Sequence, residues 1–463
     1  MTRNGNGFGP DFTWGAASSA YQVEGAATAD GRGPSIWDTF AAAPGRVVDA
    51  STGETAVEAY HRVDEDVAVM RELGLRAYRF SVSWPRVVPD GTGAVNQAGL
   101  DYYRRLTDRL LDAGIEPWVT LYHWDLPQPL EDAGGWPERD TALRFADYAL
   151  TVHEALSDRV DNWITVNEPW CAAFLGYASG EHAPGRREPA AAIAAAHHLL
   201  LGHGLATTGM RSADASSRIA IGLNFYPVHP ASDRPDDVDA ARRVDGVQNR
   251  LFTEAVLRGA YPSDVLADFK PVRDPDYIHD GDLRIISTPI DRLCVNYYSR
   301  FTVTGTANGR ASASAAPTDT GSAWPGNEHI GFVGADLPVT GMGWEIDPDG
   351  LRDQLLRLAR EYPGVELVVT ENGAAFDDVL SDDGTAVHDQ RRLVYLRRHV
   401  AACAEAIAAG VPLSGYFVWS LMDNFEWAWG YTKRFGVVYV DFETQRRVVK
   451  DSGHWYRDLI AGG

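Results

Sequence analysis

Eight short apolar runs punctuate the chain, and the stretches between them carry a different rhythm. The runs lie at 12–17, 77–82, 117–122, 162–167, 219–225, 292–297, 366–370 and 415–420. They read as strands buried on both faces, where the usual in–out alternation is lost. Between them come amphipathic or Ala-rich stretches of helical periodicity at 55–73, 97–113, 141–157, 190–209, 350–362 and 389–409. Alternating β and α units of this kind predict a parallel sheet, and a count of eight predicts an α/β fold closed into a (β/α)8 TIM barrel. A doubly wound sheet is the competing arrangement. It wants a Gly-rich phosphate loop after its first strand, and Trp14-Gly15-Ala16-Ala17-Ser18-Ser19 is not one.

At 463 residues the chain has the length of two or three ordinary domains, but barrels with long loops reach that size as one. The segment 304–322 is rich in small polar residues. Because the strand rhythm continues on both sides of it, a long βα loop after the sixth strand is a better reading than an interdomain linker. With no internal repeat, residues 1–463 form a single expected domain, and the Gly/Asn-rich residues 1–10 an expected flexible terminus.

The formal charge of −22 repels phosphate backbones and anionic lipid, which argues against nucleic-acid and membrane partners. Cys171, Cys294 and Cys403 are an odd, scattered set, expected as reduced thiols of a cytoplasmic protein. The first ten residues have no apolar core of a signal peptide, and no apolar stretch of membrane-spanning length occurs. Fourteen tryptophans are many; several adjoin polar residues at strand ends, a placement that suits sugar-stacking platforms, with core packing as the alternative. His197, His198 and His203 share one Ala/Leu-rich helical stretch without ligand spacing and read as structural, so no metal or cofactor is expected. Asp64, Glu65 and Asp66 read as a solvated helix face, and the Asp-rich run 233–245 as a surface loop entering a helix.

Barrel enzymes build their sites at the C-terminal ends of strands. Seven of the eight runs end in residues that core packing does not call for: Gln22 and Glu24, Arg79, His123-Trp124, Asn167-Glu168, Asn296 with Tyr298, Glu371, and Trp419 followed by Glu426-Trp427. Two of these are glutamates directly after a buried run, in Thr165-Val166-Asn167-Glu168-Pro169 and in Thr370-Glu371-Asn372-Gly373. Carboxylates at two strand ends can face one another across a closed sheet. Such a pair meets the minimum requirement for cleaving a glycosidic bond, one protonating the leaving oxygen and the other meeting the anomeric carbon. A helix cap by Glu168 ahead of Pro169 is the plainer reading of the first segment alone.

From these segments, over nearly its whole length, the chain resembles the glycoside hydrolase family 1 β-glucosidases. The resemblance implies Glu168 as general acid/base and Glu371 as nucleophile, with retention of configuration. Arg79, of a Tyr-Arg-Phe-Ser motif, and Tyr298, of Asn-Tyr-Tyr-Ser, would keep Glu371 ionised, while Asn167 takes the sugar 2-hydroxyl. Gln22, His123, Trp124, Asn296, Glu426 and Trp427 match the sugar-holding positions, Trp419 the platform below the ring, and Trp344 a wall of the leaving-group site. Glu426 and Phe435 stand where the phosphoglycosidase branch has Ser and Tyr, which implies a non-phosphorylated sugar despite Lys433. Glu168 stands where the thioglucosidase branch has Gln, which implies O-glycosides. The expected substrates are small β-D-glucosides or cello-oligosaccharides, with β-D-galactosides and β-D-fucosides beside them, and the expected role is in carbohydrate metabolism and cellulose degradation. A transglycosidase and a catalytically silent sugar-binding barrel are the rival readings. The preferred leaving group and the oligomeric state are not legible.

Overall fold

The structure, a computed structural model, describes residues 7–306 and 320–462. Eight strands close into a parallel barrel: β1 Thr13–Ala17, β2 Ala77–Ser81, β3 Glu116–Tyr122, β4 Asn162–Asn167, β5 Arg218–Phe225, β6 Arg292–Tyr297, β7 Glu366–Asn372 and β8 Leu413–Trp419. Each predicted run coincides with one of them to within a few residues. The expected single-domain (β/α)8 barrel is what forms. Long helices pack outside, chiefly Gln97–Asp112, Arg139–Leu156, Pro189–Ala213, Pro348–Glu361 and Gln390–Ala408.

Side chains along a strand alternate between the barrel interior and the helical layer. One interior layer consists of Ala77, Trp118, Ile164, Ala220, Cys294, Val368 and Phe417, all buried. Large residues fit beside small ones: the rings of Trp118 and Phe417 meet at 5.0 Å, and a Cβ on Gly15 would lie 2.3 Å from Phe417. Two residues further along, the interior turns polar with Arg79, Thr120 and Asn296, next to Trp419. On β4 and β7 the step is three residues, from Ile164 to Asn167 and from Val368 to Glu371. The pairing register shifts at these places, between Ile164 and Asn167 and between Val369 and Glu371. Bulges of this kind re-aim side chains at active sites, and here they bring Asn167 and Glu371 into the same layer.

Several expectations change. The helix predicted over 55–73 is Val63–Glu72 only. Residues 55–62 instead turn, with Ala56 and Glu58 at positive φ, and the amides of Val57 and Ala59 donate to the Val23 carbonyl. Asp66 is not solvated: it is buried and bonded to Arg447 at 3.0 Å, and burial pushes its carboxyl up to about 7. The run 233–245 is helical from Pro235, and Asp237 is buried, accepting from Ser232 and Thr304. Of the expected flexible terminus, residues 1–6 lie outside the described residues, while Phe8 is buried against Phe12 and Trp14. Of the loop expected at 304–322, residues 307–319 lie outside the described residues. Phe301–Thr304 and Gly331–Val333 pair antiparallel on either side of it. His197 bonds Asp282 and Tyr261, His198 the Trp136 carbonyl, and His203 Thr165. All three cysteines are buried free thiols, and no helix among the described residues is long and apolar enough to cross a membrane.

Candidate active site

A cavity of about 1020 Å³, open to solvent at its mouth, lies over the C-terminal ends of the strands. Glu168 and Glu371 both line it and are linked by a continuous hydrogen-bonded chain. Thr370 Oγ1 donates to Asn296 Oδ1 at 2.8 Å, which fixes that amide, so Asn296 Nδ2 donates to Glu168 Oε1 (2.7 Å) and to Asn167 Oδ1 (3.0 Å). Asn167 Oδ1 also accepts from Arg79 Nη2 at 2.7 Å. Arg79 Nη1 donates to Glu371 Oε1 at 2.5 Å, and Tyr298 Oη to Glu371 Oε2 at 2.7 Å. With its oxygen taken twice, Asn167 turns its Nδ2 toward His123 Nε2 at 3.1 Å. His123 therefore accepts there and carries its proton on Nδ1, which has no partner among the described residues. Burial and the nearby Arg79 charge hold this imidazole neutral, its pKa well below the usual histidine range.

The two carboxylates sit in different surroundings. Glu371 accepts from a guanidinium and a phenol. Glu168 has one amide donor and the Cys171 thiol 3.2 Å from Oε2. Burial, and then the Glu371 charge, push the Glu168 carboxyl up to about 8. At neutral pH it holds a proton, with Asn296 donating to Oε1 and the Cys171 thiol to Oε2. Environments that separate two carboxyls in this way separate an acid from a nucleophile.

The backbone of the site is strained at three lining residues, Trp124, Glu168 and Trp427, with φ of 76°, 47° and 46°. Non-glycine residues in that region cost on the order of 1–3 kcal/mol each and persist where their surroundings over-determine them. The turn at Glu168 explains how neighbouring residues Asn167 and Glu168 can face the same side. Gly373 in the Glu-Asn-Gly segment is required for a different reason: a Cβ there would lie 1.7 Å from the Trp419 carbonyl oxygen.

Of the sequence-predicted residues, Glu168, Glu371, His123, Trp124, Tyr298, Trp344, Trp419, Glu426, Trp427 and Phe435 line the cavity. Arg79, Asn167, Asn296 and Gln22 lie in the wall behind, fully buried. Gln22 clamps the loop that carries Glu426: its Nε2 donates to the Phe425 carbonyl at 2.8 Å and its own carbonyl accepts from the Phe425 amide. Glu426 Oε2 is buried with no partner among the described residues. Burial, with the charges of Glu371 and Glu168, raises this carboxyl to about 8. Lys433 donates to the Gly341 carbonyl and lies over the Trp429 ring.

Seven of the fourteen tryptophans line the cavity, Trp170, Trp324 and Trp429 unexpectedly. Cys171, Glu181, His182, Asn224 and Tyr226 also line it without a sequence signal that distinguishes them. His182 packs against Trp37 and Trp124 at 5.3 Å.

Behind the Glu426 loop lies a buried ionic cluster. Lys450 Nζ donates to Asp423 Oδ1 (2.6 Å) and Asp378 Oδ2 (2.5 Å), Arg434 reaches Asp423 at 2.7 Å, and Arg392 reaches Asp378 and Asp389. Removing one partner of a buried pair strands the others, so Lys450→Met is expected to cost about 3–5 kcal/mol of folding stability, read by denaturant unfolding. It also loosens the segment 420–436, so the Michaelis constant should rise with it.

A profile describing Glycosyl hydrolase family 1 matches residues 5–462. Thermostable beta-glucosidase B of Thermobispora bispora is 52% identical over 454 residues, 97% of this chain and 90% of that protein. The bifunctional beta-D-glucosidase/beta-D-fucosidase of Bifidobacterium breve is 47% identical over 462 residues, 98% of each chain. The crystal structure of the psychrophilic beta-glucosidase from Micrococcus antarcticus has a TM-score of 0.96 and 49% identity, over 99% of each chain. With the barrel and both glutamate segments in place, the chain belongs to glycosyl hydrolase family 1 and is a glycoside hydrolase.

Proposed function

We propose that this protein is a retaining β-glucosidase that removes terminal non-reducing β-D-glucosyl residues, and also β-D-fucosyl and β-D-galactosyl residues, from small glycosides or cello-oligosaccharides. The observation that carries it is the hydrogen-bonded chain from Glu168 through Asn296, Asn167 and Arg79 to Glu371. It holds a protonated and an acceptor-only carboxyl in one pocket. Glu371 attacks the anomeric carbon while Glu168 gives its proton to the departing oxygen, leaving a covalent glycosyl-enzyme. Esterification removes the Glu371 charge, which is one cause of the high Glu168 pKa. The Glu168 carboxylate left after proton transfer is then a base, and it takes a proton from the water that releases the sugar.

The sugar lies between Trp419, Trp427 and the edge formed by His123 and Glu426. Trp419 stacks parallel to His123 at 5.8 Å, and Trp427 likewise at 6.0 Å. The orphaned oxygen of Glu426 and the orphaned nitrogen of His123 are the groups that neutral, hydroxyl-rich ligands satisfy. The relative that is both glucosidase and fucosidase supports a pocket tolerant at the 6-position. Intracellular action on imported cellulose fragments is the setting this reading suits.

Steady-state rates on p-nitrophenyl β-glucoside, β-galactoside and β-fucoside, and on cellobiose, test the proposal; failure on all four would overturn it. Glu426→Ala sharpens the test. Hydroxyls bonded to a carboxylate contribute about 1.5–3 kcal/mol each, so kcat/KM on glucosides is expected to fall tenfold to several hundredfold. Fucosides, which lack the 6-hydroxyl, should lose less. Glu426→Ser should lose similarly on glucosides and improve 6-phosphoglucosides relative to them. Equal losses on all three substrates would make Glu426 a residue that shapes the loop rather than one that reads the sugar.

A further inference from the structure

Beyond Glu168 the same cavity continues as a chamber with Glu181 in its wall. The Cys171 thiol donates to Glu168 Oε2 at 3.2 Å, and Asn224 Nδ2 approaches the same sulfur at 3.5 Å. The Glu181 carboxylate is close enough to Cys171 to act on it electrostatically. A leaving group that takes its proton from Glu168 on the Cys171 side therefore departs toward Glu181. Trp170 and Trp324, whose rings meet at 5.1 Å, supply an apolar wall to this chamber.

Glu181 is 7% exposed, yet its carboxylate has no hydrogen-bond or ion-pair partner among the described residues. Its oxygens open onto the cavity, where the donors of a ligand can meet them. Burial alone accounts for a pKa raised to about 7. Glu168 holds its proton and Glu371 is paired with Arg79, so Glu181 and Glu426 are the unpaired acidic groups of the lining, and no Lys or Arg among the described residues lines the cavity. Such a field attracts donors and cations and repels anions.

We propose that Glu181 is a specificity-determining residue for the leaving group, accepting aglycones that present an ammonium or a strong hydrogen-bond donor beyond the scissile oxygen and rejecting those that present a carboxylate. This rests on the glycosidase reading above, since it places the aglycone on the Glu168 side.

The test uses three β-D-glucosides with matched linkers, of 4-(aminomethyl)benzyl, 4-methylbenzyl and 4-carboxybenzyl alcohol, at neutral pH. In the unaltered enzyme kcat/KM should fall in that order. In Glu181→Gln the ammonium-to-methyl ratio should drop about tenfold, the scale of one charge-assisted hydrogen bond, and the carboxylate-to-methyl ratio should rise. Because each enzyme is judged by its own methyl substrate, losses common to all three cancel. Glu181→Val repeats the measurement without an amide in place. Competitive inhibition by benzylammonium, relative to benzyl alcohol, should weaken in both variants. Hydrolysis of the methyl compound with ratios unchanged by either variant, or no ammonium preference in the unaltered enzyme, overturns the role of Glu181 and leaves the glucosidase reading standing. No hydrolysis of any glucoside by the unaltered enzyme overturns that reading, and this one with it.

Discussion

Replacing Glu371 with glycine is expected to lower turnover of aryl β-glucosides by about four orders of magnitude or more, the scale seen when a covalent nucleophile is removed. Glu371 accepts from Arg79 Nη1 and Tyr298 Oη, and among the described residues no other carboxylate is bonded to either donor. No neighbouring group can take over the attack. Glycine leaves space on the far face of the anomeric carbon from the leaving group, so azide or formate added to the variant should enter it and restore part of the rate. The product is then the α-glycosyl azide, inverted relative to the substrate. Arg79 keeps Asn167 Oδ1, Thr120 Oγ1 and the Thr370 carbonyl as acceptors but loses its only carboxylate, so the variant should also unfold at lower denaturant. Glu371→Gln retains an acceptor for Arg79. It separates the two effects: stability should recover while hydrolysis does not. Near-native turnover in either variant would show that another group is the nucleophile.

The strands and the two glutamates were legible for the same physical reason. A strand covered by helices outside and side chains inside reads as an unbroken apolar run, so a charged residue directly after it has no packing role to explain it. Glu168 and Glu371 fit that description, and so does the tryptophan of β8, Trp419. The bulges that turn Asn167 and Glu371 inward were not legible, because register depends on the neighbouring strand, whose sequence lies elsewhere. Residues 55–62 misled because their apolar spacing is helical while their amides are claimed by the distant carbonyls of Val23 and Glu24. Asp66 looked solvated because its partner, Arg447, is 381 residues away. Glu181 carried no signal for a similar reason. It lies in a loop with no periodicity, and only the fold reveals that its carboxylate lacks a partner. Gln22 was read as a sugar contact, and what the sequence did not show is that its Nε2 also holds the Glu426 loop through the Phe425 carbonyl. Sequence thus exposed residues whose chemistry conflicts with their local pattern, and concealed those defined by what surrounds them in space.

Glu168→Ala separates proton donation from nucleophilic attack, and its effect should depend on the substrate. Cellobiose and alkyl glucosides, whose leaving groups need a proton, are expected to lose roughly 10²–10⁴-fold in kcat/KM. 2,4-Dinitrophenyl β-glucoside, which leaves without help, should lose far less in the glycosylation step. Its turnover should stall at the glycosyl-enzyme, because the base for the second step is gone too, and this appears as a burst of phenolate. Azide attacks that intermediate from the space vacated by Glu168 and gives the β-glycosyl azide, the retained product, opposite in configuration to that from Glu371→Gly. The pH profile makes the same assignment independently. Burial and the Glu371 charge raise the Glu168 carboxyl to about 8, so its proton is present below that pH and lost above it. In the unaltered enzyme kcat/KM on cellobiose should therefore decline as pH rises through about 8, and in Glu168→Ala that alkaline limb should vanish. The sign follows from the acid role, since a group that worked only as a base would make the rate rise over the same interval. Equal losses on activated and unactivated substrates, or an alkaline limb that survives the substitution, would remove Glu168 from the acid/base role.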